Sequence, residues 1–251
     1  MDYGYTSIIG KTREKDEDSL LILSALSSSN QTSEERILAV VADGMGGGES
    51  GEIASKIAVD AFKSSLGPLI LRDKYRSMEI RDMMKESFVR ANSDILQYAR
   101  VQNFYLMGTT ATTVFLSGDH LAVGNIGDSR TYIFDSNGHT KFRTRDHTYV
   151  QGLVDSKEIS AEDARSDPRR NELTRALGIE AVASPDYYRI KIRSGDSILL
   201  CCDGLWEAYS DEEIGMSVAS QAPAQEIANS LTASANEKDG SDNISMILIR
   251  T

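Results

Sequence analysis

Histidine and cysteine are scarce in this chain, with 3 His and 2 Cys among 251 residues. His120, His139 and His147 are too few for a His-rich transition-metal site. Cys201 and Cys202 are adjacent inside an apolar run. Successive side chains of a strand point to opposite faces, so the two thiols are poorly placed to pair with each other. Buried free thiols fit a reducing interior. Long apolar stretches are missing too. Ile37 to Ala42 and Ile198 to Cys202 are uninterrupted, but a bilayer span needs about 20 residues. Met1-Asp2-Tyr3-Gly4-Tyr5 has neither a basic nor an apolar leader region, so no signal peptide is legible and a cytoplasmic location is expected. With 4 Pro there is no Pro-rich linker, and no repeat stands out. Positive charge is in the minority: 27 Lys+Arg face 38 Asp+Glu, a net charge of −11. Such a chain repels polyanions, which argues against nucleic acid and anionic membranes as partners.

What is present is a chain able to bury a substantial core, 40% hydrophobic and 26% charged. Strand-like runs are Tyr5 to Ile9, Ser19 to Ala25, Ile37 to Ala42, Thr109 to Leu116 and His120 to Ile126. Further runs are Thr131 to Phe134, Tyr187 to Ile192, Ser197 to Cys202 and Ile244 to Ile249. Ser27 to Ser33 reads as a hairpin loop, and Asn137-Gly138 as a tight hairpin turn. Ile53, Ile57, Ala61, Phe62 and Leu66 predict one long helix, and Met84, Phe88, Ala91, Ile95 and Ala99 a second. Asp211 to Val218 and Ala224 to Ala235 predict a C-terminal pair. Most strand connections are too short for parallel crossovers, so the sheets should be mainly antiparallel with helices on their outer faces, an α+β sandwich. Thr148 to Arg175 is polar and reads as a flap of short helical pieces.

The acids sit where apolar strands end. Ile37 to Ala42 runs into Asp43-Gly44, Ile198 to Cys202 into Asp203-Gly204, and Leu121 to Gly127 into Asp128. Asp242-Asn243 precedes the last strand instead. In an antiparallel sheet the end of one strand lies beside the start of its neighbour, so four acids can meet on one edge. A single Asp-Gly commonly begins a turn. Four converging carboxylates repel one another and lose hydration unless a divalent cation fills the space between them. Oxygen donors without His or Cys suit Mg²⁺ or Mn²⁺. The glycine run Gly44-Met45-Gly46-Gly47-Gly48 lacks a Walker lysine and reads better as a turn that offers the Gly44 carbonyl to a metal than as a phosphate cradle. Arg13-Glu14-Lys15-Asp16-Glu17-Asp18 precedes a strand and can place an anion-clamping Arg13 on the same edge.

In this order the pieces resemble the metal-dependent serine/threonine protein phosphatases, protein phosphatase type 2C, in their bacterial single-domain form. Arg13 to Asp18 is similar to R-x-x-N-E-D, with Asp16 where Asn is usual. Asp43-Gly44-Met45-Gly46-Gly47, Gly108-Thr109-Thr110, Asn125-Ile126-Gly127-Asp128-Ser129-Arg130 and Asp146-His147-Thr148 are similar to further elements of the family. So are Asp167 to Gly178, where Asp167 replaces a usual His, Cys202 to Glu207, and Asp242-Asn243-Ile244-Ser245. The resemblance implies one domain over 1–251, a four-layer α-β-β-α sandwich and a flap subdomain at about 144–175. It implies two Mn²⁺ or Mg²⁺ ions, with room for a third. Asp43 would bridge the two ions with the Gly44 carbonyl on one, Asp203 and Asp242 would complete the other, and Glu17 and Asp18 would hold metal-bound waters. Asp128 with Asp203 would form the third site, and Arg13 would bind the substrate phosphate.

The implied reaction is direct attack on phosphoserine or phosphothreonine by a water activated between the ions. Two divalent ions roughly 3.5–4 Å apart both neutralise the phosphate and acidify that water. The expected partners are phosphorylated proteins, with a Ser/Thr kinase and its substrates as candidates, and a monomer is expected. Many eukaryotic members have a His after Asp-Gly; Met45 stands there and cannot donate a proton. A catalytically dead binding module would have no need to keep Asp43, Asp203 and Asp242 together. A two-metal nuclease would need a basic stripe, which is absent.

Overall fold

The computed structural model describes residues 1–29, 32–46, 49–72 and 77–251. Asn30-Gln31, at the tip of the predicted Ser27 to Ser33 loop, and Gly47-Gly48 of the glycine run lie outside the described residues. The apolar runs become strands: β1 (Asp2–Ile8), β2 (Asp18–Ser29), β3 (Thr32–Met45), β4 (Gly108–Thr109), β5 (Ala111–Ser117) and β6 (His120–Ile126). The later ones are β7 (Arg130–Phe134), β8 (Thr140–Arg143), β9 (Asp186–Lys191), β10 (Ser197–Cys201) and β11 (Ile244–Arg250). They form two sheets in the orders β1-β11-β10-β7-β8 and β2-β3-β5-β6-β9, with β4 on β3. Each of these pairings is antiparallel.

Two faces of the central strands are buried, which is why they read as unbroken apolar runs. In β3, Ile37, Ala39 and Val41 point between the sheets, while Leu38, Val40 and Ala42 meet the helices. In β10, Ile198 and Leu200 point inward and Leu199 and Cys201 outward. Cys201 and Cys202 accordingly sit in different cores as free thiols.

Helices α1 (Ser50–Ile70) and α2 (Ser77–Gln102) cover one sheet. Phe62 of α1 meets Phe88 of α2 edge to face, with ring centroids 4.8 Å apart, a favourable quadrupolar arrangement. Ile53 and Ile57, predicted for the buried stripe of α1, pack at its margin, and Ala54, Ala58 and Phe62 fill its centre. Helices α3 (Tyr149–Asp155) and α4 (Ala161–Ser166) are the short pieces of the polar insertion. Short α5 (Asp203–Trp206), α6 (Asp211–Val218) and α7 (Ala224–Lys238) pack on the other sheet. Layers of helix, sheet, sheet and helix result, the α+β sandwich expected.

Two local differences from the sequence reading have physical causes. Thr109 to Leu116 is not one strand: at Thr110 the backbone N–H turns to the Asp43 carbonyl at 2.8 Å and the ladder breaks. Strand β8 was signalled only by the Asn137-Gly138 turn before it, and Gly138 adopts φ 83° there, a conformation glycine reaches at little cost. Among the described residues no helix is long and apolar enough to cross a membrane.

Candidate metal centre

Sheet register brings the acids to one end of the sandwich. Asp18 opens β2 directly opposite Asp43 near the end of β3. Asp128 follows β6, Asp203 follows β10 and Asp242 precedes β11. Arg13, Glu17, Asp43, Gly44, Asp128, Asp203 and Asp242 all line one cavity of about 420 Å³. Asp18 lies beneath it, its carboxylate within 4.8 Å of those of Asp43 and the Cys202 thiol. All eight residues singled out in the sequence therefore meet.

The threonines of Gly108-Thr109-Thr110 hold Asp43 in place. Its N–H donates to Thr110 Oγ1 at 3.1 Å, and its carbonyl accepts from the Thr109 hydroxyl at 2.8 Å. The Thr110 hydroxyl also meets that of Ser129 at 2.7 Å, which ties β3 to the Asp128 loop. Asn243 does the same for the N-terminal segment. Its Oδ1 accepts from the Glu17 N–H at 2.9 Å, and its amide donates to the carbonyls of Ile9 and Lys15, both at 2.9 Å. Gly44 donates its N–H to the Glu17 carbonyl at 3.1 Å. A Cβ on Gly44 would stand 2.2 Å from the Gly51 carbonyl oxygen, so only glycine fits between α1 and the Glu17 loop.

The carboxylates are electrostatically frustrated. Burial pushes Asp18 up to about 8, with Asp16 and Asp203 adding to it. Burial and the charges of Asp242 and Glu207 hold Asp203 at about 7. Asp43 and Asp128 are raised well above the carboxylate range, again by burial first and then by neighbouring aspartates. Burial raises Glu17 as well, against the pull of Arg13. Burial opposes the charge on Arg13, yet Asp242, Glu17 and Asp43 outweigh it and raise its pKa. Arg13 Nη2 donates to Asp242 Oδ2 at 2.6 Å and Nη1 stands 3.8 Å from Glu17.

Both carboxylate oxygens of Asp18 and Oδ1 of Asp203 are buried without a hydrogen-bond partner among the described residues. Orphaned oxygens cost stability, and hard anionic oxygens of this kind are the donors that Mg²⁺ and Mn²⁺ take. The residues fit such ions. The Cys202 thiol is pushed well above its ordinary value by burial. It donates to the Asn243 carbonyl at 3.4 Å and accepts from Ser245 N–H at 3.1 Å, so it is no nucleophile.

Sequence reasoning missed how the Asp128 loop is held. Arg130 forks onto Asp146, with Nε and Nη2 donating at 2.8 and 2.6 Å, and its guanidinium lies 3.4 Å over Trp206. Trp206 Nε1 donates to the Asp128 carbonyl at 2.9 Å. His147 Nδ1 accepts from Gly127 N–H at 3.2 Å, and Nε2 faces Asp186 at 3.2 Å. His147 is thus a structural tie between the Asp128 loop and Asp186. Asn125-Ile126-Gly127-Asp128-Ser129-Arg130 and Asp146-His147 were visible as motifs, but no sequence pattern shows that they bind each other.

Comparison with known proteins gives the family. Residues 3–244 match the model of the family Protein phosphatase 2C. The chain is 32% identical over 224 residues to the serine/threonine phosphatase stp of Listeria innocua, covering 87% of this chain and 86% of that protein. The structure of the S. agalactiae serine/threonine phosphatase superposes with a TM-score of 0.88 at 28% identity, covering 100% of this chain and 99% of that one. The catalytic domain of the serine/threonine protein phosphatase PstP, in complex with two manganese ions, gives 0.79 at 29% identity, with 98% and 96% covered. With its family matched over nearly the whole length, a relative 32% identical over most of both chains and the fold shared with solved serine/threonine phosphatases, this chain belongs to the protein phosphatase 2C family.

Proposed function

We propose that this chain, a serine/threonine phosphatase of the protein phosphatase 2C type, hydrolyses phosphoserine and phosphothreonine on proteins at the cavity above Asp43. The observation that carries the reading is the orphaned oxygens of Asp18 and Asp203 beneath an open cavity that also presents Arg13. Asp43, Asp203 and Asp242 would hold two Mn²⁺ or Mg²⁺ ions, the Gly44 carbonyl would assist, and Glu17 and Asp18 would hold water. Asp128 would serve a third ion together with Asp203. Such ions supply charge neutralisation and an acidified water for attack at phosphorus.

The chain's own groups do the rest. Arg13 pairs with Asp242, but its side chain is 45% exposed. Its planar fork can leave Asp242 for two oxygens of an incoming phosphate. Met45 lines the cavity and has no proton to give, so the leaving alkoxide takes its proton from water or from another residue of the cavity. Residues of about 144–175 act as a flap, and Asn171, Thr174 and Arg175 bring its end to the cavity wall. The buried free thiols support a cytoplasmic protein. A Ser/Thr kinase and its substrates are the candidate phosphoproteins, and the catalytic unit is a monomer of one domain.

Hydrolysis of phosphothreonine peptides and Mn²⁺ titration calorimetry test this together. Asp43→Asn should lose both activity and Mn²⁺ binding. Arg13→Ala should keep Mn²⁺ binding while the inhibition constant of inorganic phosphate rises roughly 10–100-fold, the loss of one charge-assisted hydrogen-bond pair. A wild-type protein with Mn²⁺ bound that leaves phosphothreonine peptides intact would overturn the reading.

A further inference from the structure

The cavity above the aspartates has a second, apolar side that the phosphate chemistry leaves unused. Three segments far apart in sequence build it: Met45 at the end of β3, Leu106 before β4, and Ile179 after the flap. Met45 Cε and Ile179 Cδ1 each lie 2.9 Å from the point where a Cβ on Gly108 would stand. The Leu106 carbonyl oxygen lies 2.5 Å from the same point on Gly46. Gly108 thus lets the Met45 and Ile179 side chains approach each other, Gly46 lets the Leu106 backbone pass close by, and all three residues line the cavity that holds Asp43 and Gly44. Its rim is open to water: Leu106 is 46% exposed and Ile179 45%, and neighbouring Tyr105 is fully exposed.

Apolar surface left wet beside a charged cavity marks a place where a ligand covers it. A phosphate cannot use that wall, whereas the chain that carries the phosphate enters the same cavity and can. Resting on the phosphatase reading, we propose that Met45, Leu106 and Ile179 form a subsite for a large apolar side chain next to the phosphorylated residue. The preferred substrates are then phosphorylated polypeptide segments with Leu, Met or Phe flanking the phosphoserine or phosphothreonine. Leu106 and Ile179 set this preference, since they form the part of the wall that a flanking side chain reaches first.

The test uses two phosphothreonine peptides, identical except for Leu or Ser at the positions on either side of the phosphothreonine, with the full chain and Mn²⁺. The wild type should favour the Leu peptide roughly tenfold in kcat/KM, the scale of partly burying one Leu side chain. In the double variant Leu106→Ser, Ile179→Ser the ratio should fall to about twofold or less, and Ile179→Leu should keep it. Each ratio is measured on one preparation, so a loss of folded enzyme cancels. Equal rates for the two peptides in the wild type, or a preference that survives the double substitution, would overturn the subsite and leave the phosphatase reading intact. Failure to cleave either peptide would overturn the phosphatase reading itself, and the subsite with it.

Discussion

Replacing Asp203 by Asn should stabilise the metal-free protein and destabilise the metal-loaded one. The ordinary carboxyl value of 3.8 rises to about 7 at Asp203 in the folded chain, first through burial and then through Asp242 and Glu207. The folded state therefore keeps a proton that the unfolded chain has released. The stability this gives is complete below the ordinary value and is lost as pH climbs to about 7. A gap of about 3 pH units, at about 1.4 kcal/mol each, sets a ceiling of about 4 kcal/mol. Water in the open cavity screens the charge, which brings the figure nearer ~2 kcal/mol. For a chain of 251 residues that corresponds to roughly 4–8 °C in Tm. Asn cannot ionise, and it also relieves Asp43 and Asp128, which both feel the charge of Asp203. Calorimetric melting in EDTA should then place Asp203→Asn above the wild type near pH 8 and level with it near pH 4. At Mn²⁺ about 100-fold above its Kd the wild type gains about 2.7 kcal/mol, a gain the variant forfeits. A variant no more stable than wild type near pH 8 in EDTA would refute the frustration argument. An equal Mn²⁺ gain in both proteins would refute the assignment of Asp203 as a ligand.

The remaining predictions concern the scaffold of the site. Asp146→Ala leaves the buried Arg130 guanidinium without its fork partner, which should cost about 3–5 kcal/mol, read as a lower urea midpoint. Arg130→Lys should not be a mild change, because an ammonium neither forks onto Asp146 nor stacks 3.4 Å over Trp206. Gly44→Ala would press a methyl against the Gly51 carbonyl at 2.2 Å and the Glu17 carbonyl at 2.6 Å. It should cost roughly 1–3 kcal/mol and weaken Mn²⁺ binding by calorimetry, whereas Gly152→Ala, with open space around it, should do neither.

The acid cluster was legible in the sequence because its members sit at boundaries where an apolar strand stops, as at Asp43, Asp128 and Asp203, or starts, as at Asp18 and Asp242. Antiparallel pairing turns such boundaries into neighbours, and the observed register of Asp18 opposite Asp43 is an instance. Strand identity was legible for the same reason: doubly buried β3 and β10 are unbroken apolar runs that resemble nothing else. What stayed hidden is pairing between distant segments. Thr110 as the clamp on Asp43, the Arg130–Asp146 fork and the Trp206 bond to the Asp128 carbonyl each join residues whose partners the local pattern does not specify. The apolar wall was hidden differently. Met45 attracted notice only as the absence of a histidine, and Leu106 and Ile179 lie outside the periodic helices and strands, where a single exposed apolar residue carries no message. Only when Gly46 and Gly108 let the three segments close on one another does the wall acquire a function. The metal chemistry of this site is therefore written in residues with strong local signatures, while its choice of substrate is written in the packing of residues that have none.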